Sequence, residues 1–86
     1  MIALLLATLP PQRPGGSRAT FIDLLPRYND WMRRIARDRG ATLVDVSEAF
    51  GGDLSLLSAD GLHPTAEGYR VMAQAFAEAI ARTLQR

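Results

Sequence analysis

The one histidine of the chain, His63, lies in the stretch SADGLHPTAEGY (residues 58 to 69), three residues after Asp60 and directly before Pro64. Gly61 gives the short turn between them a backbone freedom that other residues resist. Pro64 biases His63 toward an extended conformation, so the imidazole projects from a loop instead of lying along a helix. A turn of this size brings the Asp60 carboxylate within reach of one ring nitrogen. Such a bond sets the tautomer and stabilises the imidazolium formed when the other nitrogen takes a proton. Asp60 and His63 therefore read as a general base and its orienter, the part of a nucleophilic triad that activates the nucleophile. The plainer reading is that the same residues end a loop and start a helix, with Thr65 as N-cap and Glu67 in the first turn. On spacing alone the plainer reading is favoured.

The nucleophile is harder to find. Ser17, Ser47, Ser55 and Ser58 are the only serines, and none stands on a strand-to-helix turn of the kind that exposes a reactive hydroxyl. A lone histidine in a chain without cysteine argues against a protein-built transition-metal site. Gly15-Gly16 and Gly51-Gly52 read as turns, not as phosphate cradles.

Four elements must position these residues. Ile2 to Leu9 is an apolar run closed by Pro10-Pro11, which fits a strand buried on both faces. It lacks the positive n-region and small-residue cleavage site of a signal peptide, and it is too short to span a bilayer. Pro10 to Thr20 is a loop rich in proline and glycine. From Leu24 to Arg39 the apolar residues Leu24, Leu25, Tyr28, Trp31, Met32 and Ile35 form one helical face. Pro26 is tolerated only in the first turn, so this helix begins at Leu25 or Pro26, and Gly40 sits at the C-terminal cap position. Ala41 to Val46 reads as a second strand. Ser47 to Pro64 is a long connection of the kind that is usually functional or disordered. From Thr65 to Leu84 a second helix is expected to turn Tyr69, Met72, Phe76, Ile80 and Leu84 inward, with Glu78 and Arg82 paired on its outer side. Asn29-Asp30 reads as ordinary surface of the first helix.

Strand, helix, strand, helix implies a parallel α/β arrangement with a right-handed crossover. Two parallel strands alone make a poor domain, because both would be edges. The pattern is that of part of a larger sheet. At 86 residues the chain is at most one small domain, without disulfides to staple it. Its net charge of +1, with Asp30 and Asp38 interleaving the arginine-rich stretch from Met32 to Gly40, excludes a strong field for nucleic acid or an anionic membrane. All of the basic residues are arginine, which reads as coding bias. The absence of cysteine suits either redox compartment and leaves localisation open.

The longer string SADGLHPTAEGYRVMA closely resembles the last block of the SGNH, or GDSL, hydrolase family of serine esterases and lipases. In that family a D-x-x-H-P loop after the last core strand supplies the acid and base of the triad, and a helix follows. Upstream, YNDWMRRIARDRGATLVDV looks like the family's penultimate helix and strand, and LLLATLPP like the strand and loop before it. The resemblance implies that Asp60 orients His63, and that His63 is base toward a serine and then acid toward the leaving group. It also implies a flavodoxin-like three-layer α/β/α fold, a small-molecule ester substrate and no cofactor.

The pattern departs from the family in three features: the G-D-S block, the oxyanion-hole glycine and the G-x-N-D block do not occur in residues 1–86. Residues 1–86 are therefore expected to be the C-terminal portion of such a domain, with nucleophile and oxyanion donors on another segment. A non-catalytic interaction module or dimerising half-fold of the same family is the alternative. A nucleotide-binding βαβ unit ranks last, because no G-x-G-x-x-G or P-loop follows Leu9.

Overall fold

Parallel pairing joins the two apolar segments. In a computed structural model that describes residues 3–85, β1 (Leu5–Ala7) and β2 (Thr42–Val44) align Leu5 with Thr42, Leu6 with Leu43 and Ala7 with Val44. Backbone bonds continue past both ends, from the Thr42 N–H to the Leu4 carbonyl (2.9 Å) and from the Thr8 N–H to the Val44 carbonyl (3.1 Å). Both strands are shorter than the apolar runs that contain them. Ile2 lies outside the described residues, and Val46 is already helical.

The crossover helix α1 (Leu25–Arg39) follows a 3-10 turn at Ile22–Leu24, carries its proline in the first turn, and ends at Gly40 with φ 68°. Its buried face differs from the apolar stripe of the sequence. Leu25, Asn29 and Ala36 are buried, while Leu24, Tyr28 and Trp31 are exposed, Trp31 at 62%. Neighbouring helical positions differ by about 100° around the axis, so the line through 25, 29, 32 and 36 lies one position round from the line through 24, 28 and 31. The small side chain of Ala36 permits close approach to the sheet, and Asn29 meets a polar demand there. Asn29 Oδ1 accepts from the Leu9 N–H (2.8 Å) and its Nδ2 donates to the Leu9 carbonyl (3.2 Å). Asn29 is thus a buried tie for the chain leaving β1 and not the surface residue expected. Asp30 is exposed and pairs with Arg33 (2.7 Å).

The connection from Ser47 to Pro64 is ordered. Val46–Phe50 forms a short helix, α2, and Leu54–Leu56 a 3-10 turn. Asp45 and Asp53 cap them through side-chain bonds to the Glu48 and Ser55 amides. These are local carboxylate-to-amide signals that a search for long hydrophobic periods passes over.

The last helix, α3 (Ala66–Leu84), starts at Thr65, whose hydroxyl accepts from the Gly68 N–H (3.1 Å). It packs on β2 and α2, and the core gathers Val44, Val46, Phe50, Leu56, Leu57 and Ala79, with Met72 and Phe76 against them. Of the residues expected inward, Met72 and Phe76 are half-buried, but Tyr69, Ile80 and Leu84 are exposed, Leu84 at 79%. A two-stranded sheet is narrower than the apolar stripe of the helix: Ala79 seats α3 in the core, Gly68 lies close against the Leu56 carbonyl and Pro64, and the larger residues at the flank stay open. The Glu78–Arg82 pair does not form. Arg82 donates to the Leu43 carbonyl (3.2 Å), and Glu78 accepts from Gln74 (3.0 Å).

One carboxylate joins the ends of both strands. Asp45 accepts from the Thr8 hydroxyl (2.8 Å), from Arg33 Nε (2.8 Å) and Nη2 (3.1 Å), and from the Glu48 amide. The Arg33 hydrogen bonds, ahead of those from Thr8 and Glu48, hold its carboxyl below the ordinary value of 3.8. The contribution of Asp45 is therefore complete above that ordinary value and is lost as pH falls through the lowered folded value. At neutral pH Asp45→Asn should lower the unfolding free energy by about 1–3 kcal/mol, the scale of bonds to a charged group. Urea midpoints should show the gap between wild type and variant closing on acidification. A gap that stays constant into acid would contradict this account.

Candidate active site

Beyond the 3-10 turn at Leu54–Leu56 the chain makes a pinched loop. Leu57 and Pro64 form an antiparallel bridge, the Ser58 N–H donates to the His63 carbonyl (2.8 Å), and the Thr65 N–H donates to the Leu56 carbonyl (2.8 Å). Residues between these bonds have little choice of path. Gly61 takes φ 77°, which L side chains rarely adopt, and its N–H reaches the Ser58 carbonyl (3.0 Å).

Asp60 fills the loop with its own carboxylate. Oδ1 accepts from the Leu62 N–H, the His63 N–H and the Ser58 hydroxyl, each at 2.9 Å. Oδ2 lies 2.5 Å from His63 Nδ1. The bond from the His63 ring, followed by those from the His63 and Leu62 amides, holds the Asp60 carboxyl well below the usual aspartate range. An ionised carboxylate only accepts, so the Nδ1 facing it carries a proton. In the neutral ring Nε2 then bears the lone pair. The His63 side chain is 58% exposed, and Nε2 bonds no group among the described residues. The arrangement can take a proton at Nε2 and hold the resulting charge against Oδ2. Asp60 and His63 are thus brought together.

No serine hydroxyl among the described residues meets Nε2. The Ser58 hydroxyl donates to Asp60, the carboxylate that orients the ring, and that of Ser55 donates to Asp53 (2.5 Å). Ser47 bonds Thr8 through its backbone (2.9 Å), and Ser17 is an exposed residue of the loop after β1.

Sequence reasoning missed the residues behind the loop. Arg13, Gly16 and Arg18 lie against Ser58, Asp60 and Gly61, across more than forty positions of chain. A glycine pair in a proline-rich stretch reads equally well as any turn, so no local signal marks that contact.

Residues 2–71, which include the whole Asp60–His63 loop, match the model of the GDSL-like Lipase/Acylhydrolase family. The chain belongs to that family. Two solved structures share its mixed α/β arrangement with parallel strands. One is an alpha/beta hydrolase enzyme, LAE5, from the metagenome of Lake Arreo, Spain. It is 33% identical, with a TM-score of 0.71 over 90% of this chain and 37% of that one. The other is Axe2, an acetylxylan esterase from Geobacillus stearothermophilus, 25% identical with a TM-score of 0.71 over 91% of this chain and 37% of that one. The chain thus spans little more than a third of the length of either. No curated protein matches it. No helix among the described residues is long and apolar enough to cross a membrane.

Because the carboxyl of Asp60 is held below its ordinary range, it should stay ionised as pH falls through the usual aspartate value of 3.8. Followed by NMR, the Asp60 carboxyl carbon should show no titration step near that value. A step at the ordinary position would mean that the ring and amide bonds to this carboxylate do not persist in solution.

Proposed function

We propose that this chain is the C-terminal part of a GDSL-family ester hydrolase domain, in which His63 is the general base and Asp60 orients it. The observation that carries the reading is the 2.5 Å contact of His63 Nδ1 with Asp60 Oδ2 on a ring that is otherwise exposed. A serine hydroxyl presented to Nε2 gives up its proton as its oxygen bonds the acyl carbon. The imidazolium returns that proton to the departing alcohol, and water then repeats the sequence to release the acid. Family membership and the likeness to an acetylxylan esterase support ester hydrolysis as the reaction type. An acetylated carbohydrate is the substrate class to try first.

The nucleophile and the oxyanion donors come, in this reading, from a G-D-S-bearing segment outside residues 1–86. Exposed apolar residues offer it a seat: Leu4 beside β1, and Tyr69, Ile80 and Leu84 on α3. The same surfaces would suit a dimerising or partner-docking half-fold without catalysis, which is the second reading.

Esterase assays on an activated acetyl ester separate the two. Alone, the 86-residue chain should do no better than free imidazole, because base catalysis by itself contributes only about 10² to 10⁴. Supplied with the G-D-S segment of a family member, it should turn over ester and take a fluorophosphonate label. In that assembly His63→Ala should lower kcat by about 10⁴ to 10⁶. Serine-dependent turnover by the isolated chain would falsify the reading and make Ser17, Ser47, Ser55 or Ser58 the nucleophile.

A further inference from the structure

We propose that Arg13 and Gly16 are positioning residues for the Asp60–His63 pair, clamping from behind the loop that carries it. The catalytic meaning of the clamp rests on the proposed function, but its geometry can be tested without turnover.

The segment from Arg13 to Ala19 touches the loop through three successive anchor points. The Arg13 N–H donates to the Gly61 carbonyl (2.9 Å), the Arg18 N–H to the Asp60 carbonyl (2.9 Å), and Arg13 Nη2 to the Ser58 carbonyl (2.8 Å). Ser58 O also accepts from the Gly61 N–H (3.0 Å), so the guanidinium reinforces the turn at the acceptor that closes it. Between these bonds the two backbones meet glycine against glycine. A Cβ on Gly16 would stand 2.3 Å from Asp60 O and 2.5 Å from Gly61 Cα. A Cβ on Gly61 would stand 2.6 Å from Arg13 O. These obstacles are main-chain atoms, which cannot swing aside as a side chain can. Any larger residue at position 16 must therefore part the segments by roughly 1 Å to recover normal contact distances.

Such a displacement falls where the site tolerates it least. Both oxygens of Asp60 are directed by the backbone of residues 60 to 63, whose amides bond Oδ1 while Oδ2 meets the ring. Moving the Asp60 carbonyl turns the carboxylate away from Nδ1, and a hydrogen bond weakens steeply with such misalignment. The clamp is itself held on both sides. The buried Gln12 accepts from the Phe21 N–H (2.9 Å), and Asn29 holds Leu9 from α1. The orientation of His63 thus depends on the body formed by β1 and α1, a long way off in sequence.

The test uses the 86-residue chain with Arg13→Ala, Arg13→Lys and Gly16→Ala, read by proton NMR of the His63 ring. Wild type should show a low-field Nδ1 proton protected from solvent by Asp60. In Gly16→Ala and Arg13→Ala that proton should exchange about tenfold faster or more, as for loss of a bond to a charged group. Far-UV circular dichroism and the amide resonances of α3 should be unchanged, and Arg13→Lys should restore part of the protection. If Gly16→Ala fails to fold, Arg13→Ala decides, since it deletes a single side-chain bond. Folded variants that keep wild-type protection, even with a lower urea midpoint, overturn the clamp and leave the base-and-orienter pair standing. Lack of a protected Nδ1 proton in wild type itself overturns the pair, and the clamp with it.

Discussion

Four donors converge on the two carboxylate oxygens of Asp60: two amides, one hydroxyl and one imidazole. Each bond removes freedom from the loop that carries His63, and together they make the orientation of the ring a property of the backbone. A carboxylate so surrounded is at once the structural centre of its loop and the group that fixes the histidine ring through Nδ1. The loop can be this tight because Gly61 accepts a positive φ and because Thr65 begins a helix immediately after it.

A second carboxylate does for the scaffold what Asp60 does for the loop. Asp45 follows β2, Thr8 follows β1, and their side chains bond each other at the C-terminal ends of the parallel strands. In open α/β sheets that end is where functional loops gather. The His63 loop belongs to the connection that leaves β2 there. Arg33 of α1 completes the junction, so both strands and the crossover helix share one set of charged hydrogen bonds.

The sheet explains the surfaces of both long helices. Two short strands are paired among the described residues, and small or polar residues lie on the buried side of each helix: Asn29 and Ala36 on α1, Gly68 and Ala79 on α3. Small residues allow backbones to approach, while the larger apolar groups at the flanks are left with nothing to pack against. Exposed Tyr69, Ile80 and Leu84 suit a chain that spans 37% of the length of its structural relatives.

By itself the sequence determined whatever depends on neighbours a few residues away. The order of the two strands and the two long helices followed from hydrophobic period, the helix limits from Pro26, Gly40 and Thr65, and the Asp60–His63 pair from the longer string SADGLHPTAEGYRVMA, because three residues of spacing alone favoured a plain turn. Short range suffices for these because a turn or a cap is closed by the residues it contains. The caps of Asp45 and Asp53 were within the same reach, although the long connection concealed them. Tertiary structure decided the rest. It chose which helical line faces the sheet, burying Asn29 where it bonds the Leu9 backbone and leaving Trp31 uncovered by any of the described residues. It also set Gly16 against Gly61, a contact made by backbone approach across a long loop, which no periodicity or spacing encodes.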